Sequence, residues 1–214
     1  MALSHLLFPM LLVPNLSVQD AINSVLDTTQ ALLPRIQCNR ELSILISFTN
    51  CRLLEEVILS QSLLNGLLPA FVGNLTTTLW RLYLSSNLIQ GTIPLALANL
   101  TKLSSLYLSS NKIKGLIPPN IGQMHILQLL ALNNNALEGP IPLSIYQLVR
   151  MYVFYIEHNM LIGSISSSIN NLTSLDLSSN NLSSTLPPSL CQLKDLWELY
   201  LQDNSFTGHL PLAL

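Results

Sequence analysis

One motif returns along most of this chain at a nearly constant step, and a unit that short can bury its apolar residues only against neighbouring copies of itself. Between Leu54 and Leu210 the pattern is L-x-x-L-x-L-x-x-N-x-L-x-G-x-I-P, with its polar ladder position at Ser62, Asn87, Asn111, Asn135, Asn159, Asn180 and Asn204. The steps between them are 25, 24, 24, 24, 21 and 24 residues. Such a period suits one supersecondary unit per copy and a stack about seven units long.

Each part of the motif has a physical reading. The L-x-L core, as in Leu82-Tyr83-Leu84 and Leu106-Tyr107-Leu108, is a short strand whose leucines point inward, so the residue between them points outward onto an exposed parallel sheet. A buried Asn after it can satisfy backbone groups of its own coil and the neighbouring one, because its amide offers two donors and two acceptors. The structural ladder is therefore assigned to Asn87, Asn111, Asn135, Asn159, Asn180 and Asn204. Four residues later stand Gly66, Gly91, Gly115, Gly139, Gly163 and Gly208, broken only by Ser184, where a turn is expected to need a residue without Cβ. Three residues further are Pro69, Pro94, Pro118, Pro142, Pro187 and Pro211, suited to a return path outside the sheet, with Ser166 as the exception.

The extension Leu137-Glu138-Gly139-Pro140-Ile141-Pro142 resembles the plant-type leucine-rich repeats of receptor-like kinases, receptor-like proteins and polygalacturonase inhibitors, over about three quarters of the chain. Phe48-Thr49-Asn50-Cys51, followed by the lengthened step from Ser62 to Asn87, is most similar to the middle of receptor-kinase ectodomains. The resemblance implies an α/β leucine-rich repeat solenoid, right-handed and curved, with one parallel sheet on the concave face and irregular or short helical returns opposite. It also implies extracellular recognition of a peptide or protein ligand, with a co-receptor as a further partner, and it names no single ligand.

Composition narrows the function classes. Hydrophobic residues make up 49% and charged residues only 9%, an imbalance that stacked leucine cores explain. A net charge of −2 without a basic run argues against nucleic acid, whose phosphates require clustered Lys and Arg. Leu6 to Val13, interrupted by Pro9, falls well short of the roughly 20 apolar residues that cross a bilayer. His5, His125, His158 and His209 share no metal-ligand spacing, and no nucleophile, phosphate-loop or kinase signature occurs, so no catalytic residue, metal or cofactor is expected. Glu157-His158 is read as a solvated repeat edge in preference to a reactive pair.

Residues 1–45 do not follow the repeat, and 46–214 are assigned to the repeat domain. Residues 1–23 are a candidate signal peptide, although no Lys or Arg precedes the apolar stretch. Ser17-Val18-Gln19-Asp20 reads as a capping box for a helix over 18–33, similar to a plant cap that has been cut short. Cys51 fills a leucine core slot, Cys191 a small and half-buried slot, and Cys38 is within conceivable reach of Cys51 only.

The exposed sheet carries the candidate recognition surface. Its central column is Ile58, Tyr83, Tyr107, Ala131, Tyr155, Asp176 and Tyr200, and the column two residues earlier is Glu56, Arg81, Ser105, Leu129, Val153, Ser174 and Glu198. Tyrosine and arginine are enriched at interface hot spots, so Arg81, Tyr83, Tyr107, Tyr155, Asp176, Glu198 and Tyr200 are the expected ligand-binding residues. Six strand spacings of about 4.8 Å make a face roughly 29 Å long, enough for about nine extended residues. Sequons at Asn15, Asn74, Asn99, Asn171 and Asn181 fit entry into the secretory pathway and a place outside the cell or at its surface. The expected function is a ligand-binding module of a plant receptor-like kinase or receptor-like protein in defence or developmental signalling, present as part of a longer receptor. The alternative is a secreted inhibitor of a cell-wall hydrolase.

Overall fold

Fourteen short strands alternate between two parallel sheets in the computed structural model, which describes Leu42 and residues 44–209. The first sheet holds β1 (Glu56–Ile58), β3 (Arg81–Tyr83), β5 (Ser105–Tyr107), β7 (Leu129–Ala131), β9 (Val153–Tyr155), β11 (Ser174–Asp176) and β13 (Glu198–Tyr200), in chain order. Equivalent positions are in register, Arg81 on Ser105 and Tyr83 on Tyr107, then Leu129 on Val153 and Ala131 on Tyr155. Consecutive strands of one sheet are thus neighbours in space, and the chain is a leucine-rich repeat solenoid.

The single expected sheet has a companion. β2 (Asn65–Leu67), β4 (Leu88–Gly91), β6 (Lys112–Leu116), β8 (Ala136–Pro140), β10 (Met160–Gly163), β12 (Asn181–Ser184) and β14 (Ser205–Phe206) form a second parallel sheet just past the ladder position. The reason lies in residues such as Leu88-Ile89-Gln90, which alternate exposed, buried and exposed as a strand requires. The motif glycines accordingly lie in these strands or just past them in a left-handed conformation, as at Gly91, which ends β4 with φ +79°.

Returns from the second sheet to the first run through 3-10 helices at Ala70–Asn74, Leu95–Asn99, Pro119–Gln123, Leu143–Gln147 and Pro188–Gln192. Each is preceded by a proline of the motif, for example Pro94 at φ −71°, where a fixed φ and a missing N–H cost nothing. The 21-residue coil between Asn159 and Asn180 has only turns there. Leucines and isoleucines of all three walls meet in one continuous core, and a short helix α1 (Ile44–Phe48) seats Leu45 and Phe48 against it.

Cys51 packs half-buried beside that core and its thiol donates to the Ser47 carbonyl at 3.8 Å. Cys191 is exposed, contrary to the half-buried slot expected of it, because the 3-10 helix Pro188–Gln192 turns Leu190 inward instead. The candidate signal peptide, the 18–33 helix, Cys38, Asn15, Leu210 and Pro211 lie outside the described residues. Among the described residues no helix is long and apolar enough to cross a membrane.

Candidate recognition face

The ladder holds the first sheet in place from behind. Asn111 is representative: its Oδ1 accepts from the Ile89 N–H at 3.0 Å, and its Nδ2 faces the carbonyls of Leu84, Leu108 and Ser109 at 3.0, 3.0 and 3.1 Å. Asn135, Asn159, Asn180 and Asn204 repeat this set with the coil before them. Asn87 differs at the start of the column, where its Oδ1 takes the N–H groups of both Ser62 and Leu64 at 3.0 Å.

On the outward side the tyrosines separate into two groups. Tyr83 and Tyr107 meet edge to face with ring centroids 4.4 Å apart, an arrangement their quadrupoles favour. Burial raises the Tyr107 phenol above its ordinary value, and Tyr83 and Tyr155 add to the shift. Tyr155 reaches the other way: its hydroxyl lies 3.0 Å from Ser174 Oγ and donates to Glu198 Oε2 at 3.5 Å, while Ser174 Oγ donates to the same oxygen at 2.6 Å. Ser174 is small enough to let side chains two coils apart join over it. Tyr200 is exposed at the far end.

The charged residues are partly committed. Arg81 lies 3.2 Å from Glu56 and 3.9 Å above the Trp80 ring, with its Nε unpartnered. Asp176 Oδ1 accepts from the Ser178 N–H at 2.9 Å and the Ser178 hydroxyl at 2.6 Å, which closes its own strand end. Two positions expected to be outward are covered, Ala131 at 1% exposure and Ser174 at 2%, because larger neighbours on the same face lean across small side chains.

A third outward column escaped the sequence reading. By the same alternation, Ser60, Ser85, Ser109, Asn133, Glu157, Ser178 and Gln202 follow the inward leucine or isoleucine just past each strand and share the face with the tyrosines. Ser109 donates to Asn133 Oδ1. Glu157 is not the solvated edge expected of it: it is half-buried, its Oε2 has no partner, and burial, aided by nearby Asp176, raises its carboxyl above the ordinary value. A backbone N–H bond to the carboxylate, His158 and the Asn133 side chain oppose that shift without cancelling it.

The sequons lie elsewhere. Asn74 and Asn99 close 3-10 helices, Asn171 sits in the return of the short coil with Nδ2 donating to the Val149 carbonyl at 3.0 Å, and Asn181 opens β12. All four are exposed and none is on the first sheet. Among the described residues no group of three or more His, Cys, Asp and Glu could hold a metal ion.

Comparison with known proteins agrees with this architecture. Leucine rich repeat families match residues 77–137 and 171–193. The LRR receptor-like serine/threonine-protein kinase EFR of Arabidopsis thaliana is 47% identical over 57 residues, 27% of this chain and 6% of that protein. This is a leucine-rich repeat chain similar to plant receptor proteins. The plant peptide hormone receptor RGFR1 in complex with RGF2 superposes with a TM-score of 0.72 at 29% identity, over 77% of this chain and 31% of that one. The Arabidopsis receptor kinase HAESA, in complex with the peptide hormone IDA and the co-receptor SERK1, gives 0.61 at 33% identity, over 77% and 32%. This leucine-rich repeat chain thus spans under a third of each of these receptors, and the part that it matches is a non-catalytic repeat module.

Proposed function

We propose that this leucine-rich repeat module binds an extended peptide or protein ligand outside the cell, on the outward face of the first sheet. The observation that carries the reading is a face of in-register strands with no element of the described chain packed on it. It presents Tyr83, Tyr107, Tyr155 and Tyr200 with polar rims, while every described sequon lies off it. Tyrosine provides large contact area at low entropic cost and keeps a hydrogen-bonding tip. Two of the similar receptors are described with peptide hormones bound, and HAESA with a co-receptor as well, which favours a peptide as ligand and a second receptor chain as a further partner. A role in defence or development, within a plant receptor-like kinase or receptor-like protein at the cell surface, is part of the same proposal.

The test is capture from a library of plant extracellular peptides on the immobilised full chain. With a captured peptide, Tyr107→Ala and Tyr155→Ala should each weaken binding about thirtyfold, the loss typical of a hot-spot side chain worth about 2 kcal/mol. Unchanged affinity in a folded double variant would move the recognition face elsewhere. Inhibition of a polygalacturonase with no peptide bound would favour the inhibitor reading instead.

A further inference from the structure

The three outward columns of the first sheet are unevenly charged. They carry four acids, Glu56, Glu157, Asp176 and Glu198, and one base, Arg81, which is paired with Glu56 at the N-terminal end. Glu157, Asp176 and Glu198, on the three successive coils of β9, β11 and β13, therefore have no basic partner in these columns. Their present partners are neutral: Ser178 for Asp176, Ser174 and Tyr155 for Glu198, a backbone N–H and the Asn133 side chain for Glu157. For Glu157 one carboxylate oxygen is buried and unpartnered. Buried acceptors without donors are rare in folded proteins and costly, because the lost hydration is not replaced. The other end of the same face is aromatic, with the edge-to-face pair Tyr83 and Tyr107 beside the Arg81–Trp80 stack.

We infer that the occupant of this face is an extended peptide bearing a Lys or Arg side chain that docks between Glu157, Asp176 and Glu198, with its apolar or aromatic portion against Tyr83 and Tyr107. The inference rests on the function proposed above and adds the chemistry of the ligand. Charge complementarity argues for it: a cationic head supplies the positive charge that these carboxylates lack and a donor for the free oxygen of Glu157, while its aliphatic stem lies over the apolar centre formed by Leu129 and Val153. Asp176 is level with Tyr155 and Tyr200, so Glu157 and Glu198 lie diagonally on either side of it, each one strand spacing (about 5 Å) and two residues (about 7 Å) away, and a cationic head seated over Asp176 can address all three while its backbone continues toward the tyrosines.

The probe is a displayed library of random nonapeptides, selected against the full chain, against the Glu157→Gln/Asp176→Asn variant and against the Tyr83→Ala/Tyr107→Ala variant. Circular dichroism checks that each remains folded. On the unaltered chain, enriched peptides should carry Lys or Arg at one fixed offset from an aromatic or apolar residue, and binding should weaken as salt is raised. On the carboxamide variant the same peptides should bind about tenfold less tightly and the basic preference should vanish, while the aromatic preference persists. Replacing the peptide's basic residue with norleucine should cost the unaltered chain that tenfold and the variant almost nothing. A basic preference that survives in the carboxamide variant, or peptides enriched without one that still depend on Tyr83 and Tyr107, overturns this inference and leaves the function standing. A selection that yields no peptide dependent on those tyrosines overturns both.

Discussion

An asparagine in this chain does the work of a backbone segment. Removing the Asn111 side chain leaves the Ile89 N–H and the carbonyls of Leu84 and Leu108 without their side-chain partner, and each orphan costs about 1–3 kcal/mol. Asn111→Ala should therefore destabilise by about 3 kcal/mol or more in urea unfolding; a loss below about 1 kcal/mol would mean that water replaces the amide. Glu157 sets a pH dependence of opposite kind. Its carboxyl is raised in the folded chain above the ordinary 4.5, so the folded state binds the proton more tightly than the unfolded state does. The stability this provides is fully present below that ordinary value and is lost as pH rises through the raised one. Glu157→Gln should thus raise the unfolding midpoint at pH 7, leave it nearly unchanged below pH 4, and flatten the profile between. At this scale the sequence was informative wherever the motif dictates the side chain. Asn111 and Tyr107 could be placed by counting. The burial of Ala131, and the bridge from Tyr155 over Ser174 to Glu198, depend on the sizes of neighbours two coils apart, which spacing alone does not encode.

The strands and returns show what periodicity reveals and what it hides. The first sheet follows from L-x-L alternation, but in the second the glycine column was taken for a turn, since a glycine suggests a break before it suggests a strand end. At Gly91 the left-handed backbone at φ +79° disfavours a Cβ, while the nearest atom to one built there, Cδ2 of the exposed Leu67 at 2.5 Å, is free to swing aside. Ser184 occupies the same column at φ +74° with its carbonyl accepting from the Thr207 N–H at 3.0 Å. A non-glycine residue in that region costs about 1–2 kcal/mol, against about 0.5–1 kcal/mol of extra chain entropy for glycine. Ser184→Gly should consequently stabilise the protein by about 0.5–1 kcal/mol in denaturant titration, and destabilisation would show that the Ser184 side chain makes a contribution of its own. The other exception has a partner that explains it. Ser166 replaces the motif proline, and its N–H donates to the Tyr146 hydroxyl at 3.4 Å, a bond that proline cannot make.

For the whole molecule, stability in a stack of coils is a sum of each coil's own term and its contacts with its two neighbours, so one poor coil weakens the array locally. The coil from Asn159 to Asn180 is three residues shorter than the usual 24. It lacks the 3-10 helix of the other returns, and beside it lies a cleft of about 280 Å³ lined by Ile169, Leu172, Ser189 and Leu193. The Ser189 hydroxyl there is buried without a partner. By contrast, the coils from Leu103 to Leu132 have the full complement of two strands and a 3-10 helix, with Leu106, Leu108, Leu127 and Leu130 wholly buried. Opening free energy follows buried apolar contact and backbone pairing, and the short coil keeps its buried Leu161, Ile165 and Leu175 but loses the pairing of a return helix. Amide hydrogen exchange should be faster across Ser164 to Leu186 than across Leu103 to Leu132. The difference should narrow in a variant that restores three residues and a proline to the return, because the coil would then regain its packing on the helix Pro188–Gln192. Equal protection in the unaltered chain would mean that the bonds of Tyr146 and Asn170 across this junction compensate for the missing turn. The proposed recognition face crosses the same junction, since Tyr155 precedes the short return and Ser174, Asp176 and Glu198 follow it. A peptide spanning both sides would tie the weak coil to its neighbours and slow exchange there most of all, through the mass-action stabilisation that any ligand of the folded state provides.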